Sequence, residues 1–509
     1  MTDLARLAVI TGVMVCVTIG WSAAGHPGAA VGLAVGLALL VVRWRRLPLW
    51  SWLSLYLRRN HPIELTEPLT VANDRSGGGV RYQDDVAAVA VQILGRQHQP
   101  TYLTGSTATE TANTLEIGDL IPALHQSLGL TIESISVIGC GARRRSTGDY
   151  PRVYDTLIGT PPYAGQRETW LVIRIRMLDN GDALGRRSTA GTAALAAAQR
   201  ISMMLRCRGI RARTATATDI VELERRLGRS ALEAHNRRWH TGRTDAGWQT
   251  AYAYRPSDIT TGNLAQAWSL RADGIVQNVT VFPDGTASAT LSVRTPRPPT
   301  APAAVMLQTL PGEQAQAVQA NLCCPRPKLR ALGRGPLRGA VVIPVGPSGV
   351  LLGRTSAGDR LLMPLSDPGQ QTRIHVSADD AIAKRMVIRA AAAGERITVH
   401  TTNLARWASV RMPHIAVIEH ARPASGTTLS VIDGTVPPAP RPNTVISVAD
   451  PRHTVRVSAD IVVTQIGPAT IEVAANGEYH AAQVEFFRAE NRYLSAEARA
   501  VEAGLELVE

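Results

Sequence analysis

The stretch LAVITGVMVCVTIGWSAAGHPGAAVGLAVGLALLVV, Leu7 to Val42, decides the architecture. Leu7 to Ala24 is an uncharged run of 18 residues, close to the roughly 20 that cross a bilayer as a helix. Gly25-His26-Pro27 breaks it, and Gly28 to Val42 supplies a second apolar run of 15. Three residues leave no room for a domain between the runs, so the pattern predicts a two-helix transmembrane hairpin. Leu7 and Val13 in the first run and Val31 and Leu39 in the second are its membrane-anchoring positions. Small residues at Gly32, Gly36 and Ala38 allow close helix approach. Arg6 and Ser22-Ala23-Ala24 would also suit a cleaved leader, but the second apolar run favours a retained anchor.

Positive charge orients the hairpin. Arg43, Arg45, Arg46, Arg58 and Arg59 follow the second run and the connection carries none, so both termini and the soluble part are expected on the cytoplasmic side of the inner membrane. Between the arginines lies LPLWSWLSLYL, Leu47 to Leu57, expected as an interfacial helix with Trp50, Trp52 and Tyr56 at headgroup depth. Membrane lipids, anionic ones above all, are its expected partners.

Six arginines and one aspartate in the first sixty residues account for +5 of the formal charge of +13. Only Lys328 and Lys384 are lysines among 54 basic residues, a skew of coding composition before it is a nucleic-acid surface. Aromatics make up 4% of the chain, too few for a base-stacking platform; nucleic acid is not an expected partner. Five cysteines with no CxxC spacing argue against a disulfide scaffold and against structural zinc.

The 509 residues divide by pattern into the hairpin and interfacial helix (1–60), a first cytosolic domain (61–240), a connecting region (241–340) and a C-terminal domain (341–509). In the first cytosolic domain, Val86 to Leu94 reads as a strand and Ile117 to Leu128 as a helix. Thr131 to Cys140 and Trp170 to Met177 alternate apolar and polar at period two, as half-exposed strands do. Thr189 to Arg206 is an alanine-rich helix, and Asp219 to Arg238 a charged helix with Asp219 as its N-cap. The order suggests an α+β, ferredoxin-like sandwich. In the connecting region, Pro283-Asp284-Gly285 joins two strands as a hairpin turn, and TPRPPTAP, Thr295 to Pro302, is a stiff link.

Beyond Gly339 strands and helices alternate, as in a mostly parallel α/β sheet that resembles a degenerate nucleotide-binding fold. Arg373 to Val376, the loop Ser377-Ala378-Asp379-Asp380 and the helix Asp379 to Ala393 occupy the places of a phosphate loop, and Asp433 ends a later strand. The loop lacks GxxxxGK[ST]; its two aspartates repel phosphate, and Lys384 sits one turn into the helix. No catalytic, cofactor or metal residue is therefore assigned, and no cofactor is expected. The alternative is a membrane-tethered, nucleotide-dependent enzyme such as a glycosyltransferase, which would need an acidic metal-binding pair.

RWRRLPLWSWLSLYLRR (Arg43 to Arg59), GDYPRVYDTLIGTPPYAGQRETWLVIRIRMLDN (Gly148 to Asn180), GVLLGRTSAGDRLLMPLSD (Gly349 to Asp367) and AKRMVIRAAAAGERITVHTTNLARWASV (Ala383 to Val410) resemble the EccE family, membrane components of the mycobacterial type VII (ESX) secretion system. The resemblance implies a non-enzymatic structural subunit with two membrane helices and a cytosolic part. The EccB, EccC (ATPase) and EccD components would be its neighbours.

Overall fold

The computed structural model describes residues 3–44, 47–72, 77–105, 108–142, 149–158, 167–186, 189–270, 272–451 and 458–495. Asp3–Val41 is helical apart from Ala24 and Gly25, where the backbone leaves helical φ/ψ. Gly25 takes φ 61, ψ −138, a conformation that a Cβ would strain. Past this break the two helical stretches lie against each other. A Cβ on Gly20 would overlap the Gly28 carbonyl, one on Gly32 the Cys16 carbonyl, and one on Gly36 would crowd Val13. The stretch Ile10–Leu39 is long and apolar enough to cross a membrane.

The first large sheet is antiparallel. Its order is Gly242–Thr244, Gly247–Tyr254, Thr286–Thr295, Gly274–Val281, Ser134–Ala142, Glu168–Arg176, Val86–Gly95, Gly77–Gln83 and Leu69–Ala72. Strand residues alternate between the two faces, and both faces are covered. Val89, Val91, Ile93, Leu171 and Ile173 pack with Ala194, Ala198 and Ile201 of the helix Ala190–Cys207. Ala88, Ala90 and Val172 pack with Ile220, Leu223, Val318 and Leu322.

Period-two alternation in Ser134–Ala142 and Glu168–Arg176 therefore does not mark a solvent face. Ser134, Ser136 and Arg174 are buried, and the guanidinium of Arg174 donates to the carbonyls of Ala320, Leu322 and Cys324 and to Ser136 Oγ. The segment around Gln314–Asn321 closes over these strands, and its free carbonyls are matched by the arginine. The sheet also continues through residue 240: the hairpin Gly274–Val281 and Thr286–Thr295 pairs with Ser134–Ala142, with Val279 opposite Val137.

Two local expectations fail. Ile117–Gly129 is a series of 3-10 turns rather than one helix, with Pro122 starting the second and Leu128 at φ 59; proline removes the amide a continuous helix needs there. The charged helix is Ala217–Leu227, capped by Thr216 with Asp219 three residues in, a reciprocal capping box, and it stops at Gly228 in the left-handed conformation, φ 94.

The second large sheet is half parallel. Ile415–Ile418, Ile397–Thr401, Leu429–Asp433, Thr444–Ala449, Thr372–Ser377 and Ile461–Gln465 run parallel in that order. It then continues antiparallel through Thr470–Ala475, Glu478–Gln483, Val350–Arg354 and Arg360–Met363. Its last two strands, Thr101–Thr104 and Ala108–Thr111, come from the N-terminal half of the chain. The helix Asp149–Ile158 joins the same layer, its Tyr150, Tyr154 and Leu157 sharing a core with Ile382, Met386 and Ile388 of the helix Asp380–Ala392.

Candidate functional site

The feature that organises the N-terminus is an aromatic and basic junction between the apolar helix and the body. Pro48 is extended and starts the helix Leu49–Leu57, because its ring forbids an interior helical hydrogen bond while its φ suits an entry. Trp52 Nε1 donates to the Trp44 carbonyl at 3.0 Å, with the two rings 5.0 Å apart. On the body side, the Trp239 ring lies 6.1 Å from Trp52 and 6.4 Å from Tyr56. Arg330 donates to the Ser51 carbonyl at 3.1 Å and to Ser54 Oγ. Trp50 turns the other way, against Gly12. Leu47 and Leu55 are buried, whereas Leu53, Tyr56 and Leu57 are exposed; at spacings of three and four they share one face.

Of the anticipated membrane positions, Val13 packs against Gly36, Val31 is exposed and Leu39 is half-buried. Arg43, Arg58 and Arg59 are exposed, with the Arg59 guanidinium 3.6 Å from the Tyr56 ring centre. Arg45, Arg46 and the Leu7 side chain lie outside the described residues. Trp50 and Trp52 are spent on internal contacts, to the first helix and to the body respectively. Trp239 and Arg330 were missed. The run Arg237-Arg238-Trp239 repeats the Arg/Trp composition of the juxtamembrane stretch, the one signal available, but its two arginines read as the end of the charged helix expected over Asp219 to Arg238, which stops at Leu227.

The loop that imitates a phosphate site is closed by its own side chains. Asp379 Oδ1 accepts from the Ile382 amide at 2.9 Å as an ordinary N-cap. Asp433 accepts from Thr401 Oγ1 at 2.9 Å, Trp407 Nε1 at 2.7 Å and Arg406 Nη1 at 2.6 Å. The same guanidinium reaches Asp380. Burial alone would push the Asp380 carboxyl up, but the Arg406 hydrogen bond and charge, with Lys384, outweigh it and hold it below the usual value. The hydrogen bond to Asp380 raises Arg406 in turn. Lys384 Nζ donates to the Leu494 carbonyl at 3.2 Å. An arginine thus stands where a divalent cation would bridge the two carboxylates. Among the described residues no group of three or more His, Cys, Asp or Glu side chains could hold a metal ion.

The remaining buried charges are internal. Arg81 forms a two-point pair with Glu224 and donates to the Cys323 carbonyl at 2.8 Å, all of it fully buried. Glu490 is ringed by Arg389 at 2.9 Å, Arg385 at 3.2 Å and the Tyr150 hydroxyl at 2.8 Å. Each set satisfies its own donors and acceptors, so both hold elements together.

Comparison with known proteins adds identity to this geometry. Residues 163–254 match a family model described as "Putative type VII ESX secretion system translocon, EccE". The chain is 47% identical over 515 aligned residues to the ESX-2 secretion system protein EccE2 of Mycobacterium tuberculosis (strain CDC 1551 / Oshkosh), covering 97% of this chain and 96% of that protein. It is 26% identical to the ESX-1 secretion system protein EccE1 of Mycobacterium tuberculosis (strain ATCC 25618 / H37Rv), over 73% of this chain and 76% of that one. The EccE1 of Mycolicibacterium smegmatis is 25% identical over the same shares.

Proposed function

The chain belongs to the EccE family and is a structural subunit of a type VII (ESX) secretion complex, and from that premise we propose that it works without catalysis, as a two-helix anchor holding a rigid cytosolic body against the inner membrane. The observation that carries this reading is the junction: a membrane-length apolar helix leads into Leu49–Leu57, which is bound to the body through Trp239 and Arg330. The break at Gly25 and the close approaches at Gly20, Gly28 and Gly32 support a hairpin over one long span. At 1.5 Å per residue a straight helix of 39 residues would overrun the roughly 30 Å hydrocarbon layer. Both termini and the body then lie in the cytoplasm. The partners we assign are the EccB, EccC and EccD components and membrane lipids, with nucleic acid excluded. ATP hydrolysis is left to the EccC ATPase, since Arg406 occupies the place that, among the described residues, resembles a nucleotide site.

Mild detergent extraction, native electrophoresis and mass spectrometry of the tagged full chain test the assembly. Co-migration with a large ATPase-containing membrane complex is expected; a complex fully assembled in cells lacking this chain would refute a structural role. Topology is tested by an impermeant maleimide on right-side-out vesicles. His26→Cys, at the exposed turn, labels from outside, and the native exposed Cys207 labels only after permeabilisation.

A further inference from the structure

Basic residues of the body stand at the junction beside those of the anchor. Arg330 reaches from the body to Ser51 and Ser54, and its guanidinium sits near enough to Arg58 for the like charges to repel. Arg238 adjoins Trp239, which packs tilted against Trp52 and edge-on to Tyr56, and the Arg238 guanidinium folds back onto the carbonyls of His235 and Arg237. Arg237 donates to the His61 carbonyl at 2.5 Å, tying the chain just past the amphiphilic helix to the same segment. Arg59 completes the group over Tyr56. Arg58, Arg59, Arg238 and Arg330 are all exposed. Among the described residues none of the four guanidinium groups forms an ion pair with a carboxylate; Glu313, whose charge acts on Arg330 from a distance, accepts with its oxygens from the backbone amides of Arg330 and Ala331. Some arginines elsewhere do pair, as Arg213 with Asp219 and Arg226 with Glu222 and Glu168. Four cations thus lie at the junction, beside the exposed apolar face Leu53, Tyr56 and Leu57.

We propose that Arg238 and Arg330 of the body, with Arg58 and Arg59 of the anchor, form one binding surface for the phosphate headgroups of anionic phospholipids, so that the body itself is docked on the leaflet. The inference rests on the membrane-anchor reading. Its chemistry follows from the arrangement. Guanidinium groups match phosphate oxygens bidentately, and the apolar side chains beside them enter the acyl boundary while the arginines stay at headgroup depth. Trp239 fixes the depth because its ring is locked to Trp52 and Tyr56.

The full chain is reconstituted in nanodiscs holding equal phosphatidylglycerol and phosphatidylcholine, then released for native mass spectrometry of the lipids that stay bound. Enrichment in phosphatidylglycerol is expected, falling roughly fivefold for each arginine removed in R238A and R330A, the effect of one basic residue at a membrane surface. R238K and R330K restore part of it. Hydrogen exchange of residues 235–240 is slower in discs containing phosphatidylglycerol than in phosphatidylcholine alone. Equal retention of both lipids with equal exchange in both discs overturns the proposal. Protection of 235–240 that appears only in the intact secretion complex, and not in lipid, assigns the surface to an acidic protein and overturns it as well. Carbonate extraction separates the two readings. A chain lost from membranes by carbonate refutes the anchor, whereas a chain retained but indifferent to phosphatidylglycerol refutes only the lipid surface.

Discussion

Arg406 shows how one side chain decides what a fold can do. Replacing it by alanine leaves Asp380 and Asp433 facing each other without their shared cation. Loss of charge-assisted hydrogen bonds at a part-exposed site costs about 2 kcal/mol near neutral pH. With Arg406 present, the Asp380 carboxyl is held low, so its stabilisation is complete above the ordinary carboxylate pKa and disappears as pH falls through the lowered value. The difference between wild type and R406A is therefore largest at pH 7 and shrinks below about pH 4. Urea unfolding at pH 7 and pH 3.5 measures it, and an equal gap at both would contradict this account. Thiols give a second residue-level prediction. Burial pushes Cys323 and Cys324 each up to about 12, and neither side chain meets solvent, whereas Cys207 is exposed. Brief maleimide treatment of the detergent-solubilised chain should modify Cys207 and spare Cys323 and Cys324 until denaturant is added, as peptide mass mapping will show.

At the scale of elements, Glu490 lies in the 3-10 segment Arg488–Tyr493 and joins it to two helices, Asp149–Ile158 through Tyr150 and Asp380–Ala392 through Arg385 and Arg389. Glu490→Ala leaves Arg389 buried without its carboxylate, a loss of about 3–5 kcal/mol, while Glu490→Gln keeps an acceptor and costs less. Thermal unfolding of both variants should rank them in that order. Elements are also where sequence reading was strongest. The apolar N-terminal run, the alanine-rich helix, the Pro283-Asp284-Gly285 hairpin and the βαβ rhythm past Gly339 all declared themselves through periodicity and turn chemistry, which are local. Burial of Arg174 was not legible, because it depends on a segment 146 to 150 residues further on supplying three carbonyls. Nor was Trp239 as a junction residue, since only the folded chain brings it to Trp52. The Arg406 bridge was half legible: the unsuitable loop was plain, but its occupant was not.

For the whole molecule, the two sheets do not divide the chain at a single point. Thr101–Thr104 pairs with Arg360–Met363, and Tyr150 and Tyr154 sit in the core of the second layer. A fragment of residues 341–509 alone would bare one strand edge and the apolar surface under Asp149–Ile158, a combination that favours aggregation. Expressed without the N-terminal half, it should be insoluble or fail to show a cooperative transition; a soluble fragment with a sharp transition would contradict the interlocked layers. Limited proteolysis of the whole chain should likewise release no stable C-terminal core by cutting near residue 340. The borrowed strands also set a timetable. Thr101–Thr111 leaves the ribosome roughly 250 residues before the strand it pairs with, about 10–50 s at ordinary rates of synthesis. By then the first sixty residues have long been free to enter the bilayer, so the second layer closes on a body already tethered at its destination.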